Sequence, residues 1–315
     1  MSRRIARQFH NQPAQSHQHG FLTDLWDQVR RESGGRLDVA VHPHNGGVAG
    51  SDPRVLDMLV AGELEFATIM GPLLGARVPA AEIQGVPFAF DSPQQAHAAV
   101  DGTLGEYIRR EARNQRIYLL PGGALENGFR QICTVDKPIV RLDDLQGLCI
   151  RVPSGAILRE LFVEFGAMPV TINIDRLYGA LERREVDGHE NPLAITEVNG
   201  LYRVTRHIAL SNHVWSGFNL IANLAYWESL PPDLQDIIHR AVKIHVARQR
   251  THVLALNRGL ERSLQERGME VRAIDTGPMR QRLEGGFYAR WSKHFGSSAW
   301  RLLAEAGAGT LRQEA

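Results

Sequence analysis

Apolar residues in this chain switch repeatedly between the two-residue spacing of a strand and the wider spacing of a helix. Alternation at Ile5 to Phe9 gives way to helical spacing between Phe21 and Val29, and alternation returns at Leu37 to Val41. Helix and strand patterns then follow one another at 52–61, 66–70, 93–114 and 117–120. This order predicts a parallel sheet covered by helices.

The same order returns in the second half of the chain, which predicts a second α/β lobe. Strand patterns lie near 128–134, 148–152, 169–172 and 207–210, with helices at about 154–165 and 175–184. Pro231 and Pro232 then open a helical pattern that continues to Gly268. A helix of that length spans about 50 Å, enough to run across both lobes.

Composition excludes several classes of function. The chain has 315 residues, 43% of them hydrophobic, which suits a globular protein of about two domains. A formal net charge of +1 gives no basic field for nucleic acid, and no apolar run reaches the ~20 residues of a membrane helix. We therefore expect neither a nucleic-acid partner nor membrane insertion.

Cysteine and histidine content indicates no metal site and no disulfide scaffold. Cys133 and Cys149 are the only cysteines, and both lie in apolar runs typical of buried thiols, although a bridge between them stays open. The 13 histidines are scattered along the chain, so we expect no metal and no other cofactor.

Arg151 is the residue with the clearest functional meaning. It stands near the end of the apolar run 148–152, directly before the strand-ending Val152-Pro153. A permanent cation there needs an anion, and the planar fork of arginine matches a carboxylate with two parallel hydrogen bonds. An ion pair within the protein is the simpler interpretation of one such arginine, so the neighbouring motifs decide.

Three further motifs accompany Arg151 in a fixed order. They are Glu126-Asn127-Gly128-Phe129-Arg130, Val186-Asp187-Gly188-His189-Glu190-Asn191-Pro192 and Ser211-Asn212-His213-Val214-Trp215. This ordered set resembles the substrate-binding proteins of tripartite ATP-independent periplasmic (TRAP) transporters, the DctP-like family. The resemblance extends from Phe9 to Trp300.

The resemblance implies an α/β, two-lobed periplasmic-binding-protein fold of the Venus-flytrap type. Hinge strands would join the lobes, and the long C-terminal helix would span both. We expect lobe I to comprise 1–127 plus about 213–250, and lobe II 128–212 plus about 251–285. Residues 286–315 would form a C-terminal helical segment that packs on the lobes.

The resemblance also transfers site residues by position. Arg151 matches the arginine that pairs with the ligand carboxylate, Arg130 a second arginine that often reaches the same ligand, and Asn191 an asparagine that donates to a carboxylate oxygen. Positions that commonly line the pocket correspond to Asn11, Met70, Ser154 and Trp215, although capping a helix is the simpler role for Ser154.

Two polar residues and one substitution bear on the ligand. Asn173 and Glu126 would favour a hydroxylated acid, whereas Met70 and Trp215 would equally suit an apolar or aromatic body. His189 stands where the family motif usually has glutamine. A packed or hydrogen-bonded side chain is the simpler interpretation of this histidine, with a pH-dependent role as the alternative.

The implied function is a monomeric, periplasmic protein that captures a small organic acid, such as a sugar acid or dicarboxylate, and delivers it to TRAP permease subunits. The residues from Met1 to Phe9 carry charge but no apolar core of a signal peptide, which alone would predict a cytoplasmic protein. We expect an export signal that was removed or is encoded upstream.

Two other functions stay open at this point. A ligand-sensing module for a signalling partner would use the same pocket, and gene neighbourhood would separate the two. An enzyme on the same fold would need a positioned acid, base or nucleophile, and the sequence has neither a Gly-x-Ser-x-Gly elbow nor a catalytic dyad. We therefore predict a binding protein and no catalytic residue.

Overall fold

The structure is a computed structural model that describes residues 3–44, 52–284, 286–307 and 311. Its strands are β1 (Arg4–His10), β2 (Leu37–His42), β3 (Phe66–Met70), β4 (Ile117–Leu125), β5 (Arg130–Thr134), β6 (Cys149–Val152), β7 (Met168–Thr171), β8 (Gly188–Pro192), β9 (His207–Leu210), β10 (Phe218–Asn223) and β11 (Glu270–Ala273).

Helices surround these strands. They are α1 (His17–Glu32), α2 (Asp52–Ala61), α3 (Gly71–Leu74), α4 (Pro93–Asp101), α5 (Thr103–Asn114), α6 (Ala156–Glu164), α7 (Ile174–Glu182), α8 (Leu193–Val198), α9 (Leu224–Glu228), α10 (Pro232–Glu266), α11 (Gly277–Leu283), α12 (Phe287–Phe295) and α13 (Ser297–Ala306). A 3-10 helix at Pro79–Gly85 matters for the contact between the lobes.

The strands of the described residues form two sheets, one in each lobe, which confirms the predicted two-lobed α/β architecture. The first sheet has the order β2-β1-β3-β10-β4 and the second β11-β9-β5-β8-β6-β7. The predicted parallel pairing is present for β1 with β2 and β3, for β6 with β7 and β8, and for β9 with β11, but two strands depart from it. β10 runs antiparallel to β3 and β4, and β5 runs antiparallel to β8 and β9.

The antiparallel strands are those that carry the chain from one lobe into the other. Phe218 at the start of β10 pairs with Met70 at the end of β3, and Arg130 at the start of β5 pairs with Pro192 at the end of β8. A strand that begins where its neighbour ends must run in the opposite direction. The carboxyl ends of β1, β3, β6 and β8 therefore face the space between the lobes.

The long helix is confirmed as α10, which has 35 residues. Its first half packs on α1 and β4 of the first lobe, and its second half packs on α8 and β11 of the second lobe. A continuous buried stripe makes these contacts, formed by Leu234, Ile238, Val242, Val246, Val253, Leu260 and Leu264. One rigid helix thus forms a third connection between the lobes.

The C-terminal helices also touch both lobes. α12 and α13 pack on the 3-10 helix Pro79–Gly85, and α13 also packs on α4 and α5, while the Trp291 indole donates to Glu160 of α6 over 3.1 Å. Of the predicted segment 286–315, residues 308–310 and 312–315 lie outside the described residues. The predicted lobe boundaries near 127 and 212 fall in the connections between the sheets and stay predictions.

Some local predictions differ from the structure. The helical pattern 93–114 is divided at Gly102, whose extended backbone leaves no room for a side chain, since a Cβ there would lie 2.8 Å from the Ala98 oxygen. Strands β8, β10 and β11 were not predicted. The sequence of β8 is polar, yet all of its residues are buried, so it lacks the apolar alternation of a half-exposed strand.

Cys133 and Cys149 are both free thiols. Strand β8 lies between β5, which carries Cys133, and β6, which carries Cys149, so the two sulfur atoms are held apart. Within the described part of the chain, no helix combines the length and apolar character required to cross a membrane.

We expect opposite effects from an added methyl group at two glycines. A Cβ at Gly188 would lie 2.3 Å from the Cys133 carbonyl oxygen, so Gly188→Ala should separate β5 from β8 and cost about 1–3 kcal/mol. Gly259 is exposed on α10 with no atom within 4 Å of the added Cβ, so Gly259→Ala should stabilise the helix by up to about 1 kcal/mol. Urea unfolding followed by circular dichroism measures both; equal stability of the two variants would contradict the described packing.

Candidate functional site

A cavity that opens to solvent lies between the lobes, at the carboxyl ends of the strands, and its volume is about 410 Å³ with the solvent-filled opening included. Seven of the predicted site residues border it, namely Asn11, Met70, Arg130, Arg151, Ser154, Asn173 and Asn191. Gln12, Asp52 and Asn127 add further polar groups, and Leu73, Pro153, Ile174, Ile195 and Phe218 add apolar ones. The cavity therefore has walls from both lobes and a mixed polar and apolar lining.

Arg151 is buried at this cavity and keeps free hydrogen-bonding capacity. Its backbone belongs to β6, and its Nε donates to the Ile172 carbonyl oxygen over 2.7 Å. Within the described residues this is the side chain's only hydrogen bond, and no carboxylate lies within 4.0 Å of its nitrogens. Burial and the charge of Arg130 lower the pKa of Arg151 to about 10, which leaves it charged at neutral pH.

Arg130, in contrast, already has a full set of partners inside the protein. Its guanidinium forms a buried ion pair with Glu190 and also donates to the Glu190 carbonyl oxygen over 2.6 Å. The remaining nitrogen donates to Ser216 Oγ over 3.1 Å and to Met70 Sδ over 3.4 Å. The donors of Arg130 therefore all have partners within the protein, and its contact with a ligand stays a prediction.

Glu190 is the counter-charge that occupies Arg130. It is fully buried, and burial alone would raise its pKa, but the charge of Arg130 and a hydrogen bond with His213 lower the pKa to about 2. His213 Nε2 lies 3.2 Å from the Glu190 carboxylate, and its Nδ1 lies 2.7 Å from Ser211 Oγ. This buried cluster lies behind the cavity wall and fixes the position of Arg130 at the wall.

Asn191 is oriented by its neighbours on both sides. Arg130 donates to the Asn191 Oδ1 over 3.3 Å, and Asn191 Nδ2 donates to His189 Nδ1 over 3.0 Å. One amide hydrogen of Asn191 remains available for an acceptor in the cavity. Burial, followed by the charge of Arg151, lowers the pKa of His189 to about 3, so this histidine stays neutral in the physiological range.

The first lobe contributes a chain of side chains that the sequence analysis only partly identified. Gln12 Nε2 donates to Asn11 Oδ1, and Asn11 Nδ2 donates to Asp52 Oδ2, each over 2.8 Å. Burial raises the pKa of Asp52 to about 6, although the hydrogen bond from Asn11 and the charge of Arg151 lower it. Asp52 directly precedes Pro53 at the start of α2. This pattern predicts the start of a helix, so nothing in the sequence indicated that Asp52 borders the cavity.

Ser154 and Asn173 border the cavity beside Arg151, and the capping role predicted for Ser154 is wrong. Gly155 precedes α6 with a φ of 149°, a conformation that favours glycine. The Ile157 N–H is bound instead by Glu82 Oε1 of the first lobe, over 2.9 Å. Asn173 directly precedes α7, and its side chain makes no capping hydrogen bond to that helix.

Trp215 and Glu126 lie behind the cavity wall, outside the lining residues. The Trp215 indole donates to both Glu126 oxygens over 3.1 Å, and its ring meets those of Phe90 and His97 edge to face. The expectation that these two side chains line the pocket is revised, because they are bound to each other where the chain crosses between the sheets.

Glu126 contacts all three connections between the lobes, through its carboxylate and its backbone. Glu126 follows β4, Trp215 precedes β10, and Gln249 on α10 donates to the Glu126 carbonyl oxygen over 2.6 Å while accepting from its N–H over 2.9 Å. Burial opposes ionisation of Glu126, but hydrogen bonds from His97 and Trp215 lower its pKa. Glu126 therefore belongs to the hinge.

Comparison with known proteins places the chain in a family. The sequence pattern of the family described as bacterial extracellular solute-binding protein, family 7 (DctP), matches residues 9–293. The chain belongs to this family.

The residues that the structure describes contain no group of three or more His, Cys, Asp or Glu side chains suited to hold a metal ion.

Relatives with assigned names bind different acids. The sialic acid-binding periplasmic protein SiaP of Vibrio cholerae is 26% identical over 89% of this chain and 86% of its own. The C4-dicarboxylate-binding protein DctB of Bacillus subtilis is 25% identical over 74% of this chain and 65% of its own. The chain spans 64% or 65% of the length of three curated relatives.

Solved structures share the two-lobed fold. The sugar acid binding protein DctPAm from Advenella mimigardefordensis, in complex with galactonate, has a TM-score of 0.91 and 24% identity, with 100% of both chains covered. A TRAP periplasmic solute binding protein from Sulfurospirillum deleyianum, with bound succinate, has a TM-score of 0.87 and 20% identity, covering 97% of this chain and 99% of that one. At these identities the likeness shows the fold.

Asp52→Asn should stabilise the unliganded protein in a pH-dependent way. The pKa of Asp52 is raised from 3.8 to about 6, so its contribution to folding is favourable below pH 3.8 and is lost as the pH rises through 6. Removing the charge should therefore add up to about 3 kcal/mol at pH 7.5 and little at pH 4. Thermal unfolding at the two pH values measures this. Asp57→Asn, an exposed position on the same helix, is the matched control, and a loss of stability at pH 7.5 in Asp52→Asn would refute the burial argument.

Removing Glu82 should weaken the contact between the lobes. Its carboxylate joins the 3-10 helix Pro79–Gly85 to the start of α6 across the lobe contact, and loss of such a cap costs ~1 kcal/mol. Glu82→Ala should therefore speed ligand release by about fivefold, whereas Glu82→Gln keeps an acceptor and should restore most of the wild-type rate. Stopped-flow dissociation measures the rates; identical rates in all three proteins would mean that this bond does not contribute to closure.

Proposed function

We propose that this chain is an extracytoplasmic solute-binding protein that captures a small organic acid, such as a sugar acid or a dicarboxylate, and delivers it to TRAP permease subunits. Membership of an extracellular solute-binding family supports a location outside the cytoplasm. Relatives named as periplasmic proteins support the periplasm as the compartment. The protein would act as a monomer and without catalysing a reaction.

The observation that carries this proposal is the state of Arg151. A buried charge without a close counter-ion is unfavourable, and a carboxylate placed in the cavity would remove that cost. Because Glu190 is occupied by Arg130, it does not neutralise Arg151 in the same way. The carboxylate of a solute would accept hydrogen bonds from the two terminal nitrogens of Arg151 and from the free amide hydrogen of Asn191.

Closure of the lobes would follow from contacts on both walls. Arg151, Asn173 and Asn191 belong to elements of the second lobe, while Asn11 and Asp52 belong to the first. A solute that touches both walls favours the shut state over the open one, which shifts the population without any chemical step. The closed shape would then be the form that a permease recognises.

Substitution of Arg151 tests the proposal. Arg151→Ala should weaken binding of the cognate acid by roughly thirtyfold or more, since loss of a buried charged partner costs ~2–5 kcal/mol. Arg151→Lys should not restore affinity, because an ammonium group lacks the planar fork. A thermal-shift screen of organic acids, followed by calorimetry, measures both effects, and the ligand should add about 2.7 kcal/mol of stability at a hundred times its Kd.

The screen also contains the outcome that contradicts the proposal. Neutral sugars of matched size serve as controls, and Arg183→Ala, which removes an exposed arginine outside the cavity lining, serves as the control variant. Stabilisation by uncharged sugars while no acid binds would show that the site does not recognise a carboxylate.

A further inference from the structure

The first-lobe wall of the cavity holds two buried hydrogen-bond acceptors that have no donor. Gln12 is 3% exposed and Asp52 is 7% exposed, and both border the cavity. Among the described residues, Gln12 Oε1 and Asp52 Oδ1 have no hydrogen-bond partner. Buried polar atoms are nearly always paired in folded proteins, so two vacant acceptors on one cavity wall indicate that donors come from the bound molecule.

The neighbouring side chains cannot supply these donors by rotating their amides. Asp52 as a carboxylate only accepts, so Asn11 must direct its nitrogen to Asp52 and its oxygen to the nitrogen of Gln12. Because the Gln12 nitrogen donates to Asn11, the Gln12 oxygen is the amide atom that is left without a partner. The hydrogen bonds that run from Gln12 through Asn11 to Asp52 therefore leave one acceptor without a donor at each end, Gln12 Oε1 and Asp52 Oδ1.

The opposite wall has the reverse polarity. Arg151 has two terminal nitrogens without a partner in the described residues, and Asn191 has one free amide hydrogen. Arg151 and Asn191 thus present donors on the second-lobe side, where Ser154 and Asn173 can donate or accept, and vacant acceptors line the first-lobe side. A molecule that satisfies both walls must carry acceptors at one end and donors at the other.

Charge in the cavity points in the same direction. Arg130 and Arg151 are the cations among the lining residues, and Arg130 is neutralised by Glu190. Once Arg151 holds one carboxylate, no lining cation is left for a second carboxylate. A second carboxylate would also bring negative charge and no donor towards Asp52.

We infer that the solute is a monocarboxylate that carries hydroxyl or amino donors on the carbons distant from its carboxylate, and that Asp52 and Gln12 receive those donors and disfavour dicarboxylates. The inference rests on the proposed function, since it assumes that Arg151 holds a carboxylate. Within that function, it narrows the class of solute to acids that carry hydrogen-bond acceptors at one end and donors at the other.

Matched acids of equal length test the inference on the whole 315-residue chain. Calorimetry at pH 7.5 compares 2,3,4-trihydroxybutanoate with butanoate and succinate, and a six-carbon polyhydroxy acid with hexanoate and adipate. The polyhydroxy acid of the better-fitting length should bind at least about tenfold more tightly than both partners in its set. Comparing 4-hydroxybutanoate with 4-aminobutanoate identifies whether a hydroxyl or an amino group is the preferred donor.

Asp52→Asn assigns the discrimination to this wall. The variant should bind the polyhydroxy acid about tenfold less tightly and leave the alkanoate within about twofold, which narrows the gap between polyhydroxy acid and dicarboxylate. Asp57→Asn on the same helix should change none of these affinities. Thermal unfolding of the unliganded variant verifies that it is folded before binding is compared.

The possible failures are distinguishable. Tightest binding of succinate or adipate, or an equal loss for every acid in Asp52→Asn, would overturn the donor inference and leave the proposed function intact. Binding of neutral polyols with no preference for any acid would overturn both. Tight binding of the polyhydroxy or amino acid with loss of discrimination in Asp52→Asn supports the inference.

Discussion

The buried ion pair between Arg130 and Glu190 is the interaction on which the site depends. Two arginines border one cavity, but among the described residues the only carboxylate within ion-pair distance of either is that of Glu190, and Arg130 binds it through two of its nitrogens. This pairing leaves Arg151 charged, buried and free to bind an anion. It also orients Asn191, which borders the cavity, since Arg130 donates to the amide oxygen. One buried pair thus organises both groups that would bind a carboxylate.

The mixed topology of the two sheets explains why such a site forms between the lobes. Strands that end at the cavity present polar residues from their carboxyl ends, and the strands that cross between lobes begin there. The crossings converge on Glu126, which binds Trp215 from one connection and Gln249 from the long helix. The hinge is therefore a packed, hydrogen-bonded element next to the cavity that joins the three connections between the lobes.

Much of the fold was predictable because it depends on local periodicity. The spans of α2, β3 and β9 agree with their sequence patterns, and the two prolines before Asp233 correctly marked the start of α10. Strand β8 was not predicted, because residues buried on both faces need not alternate and here they are polar. The antiparallel direction of β5 and β10 was not predicted, because strand direction depends on the lobe from which a strand enters, which local sequence does not encode.

The sequence by itself determined the family, the two α/β lobes and a set of motif residues that lie around one cavity. Only the tertiary structure decided which of those residues pair with one another inside the protein and which border the cavity with free hydrogen-bonding groups. It paired Arg130 with a glutamate sixty residues away, placed Trp215 against Glu126 in the hinge, and brought Asp52 and Gln12 to the wall opposite Arg151. The physical reason is that charge pairing and hydrogen bonding depend on distances between segments far apart in the chain, whereas motifs and periodicity report only neighbours along it.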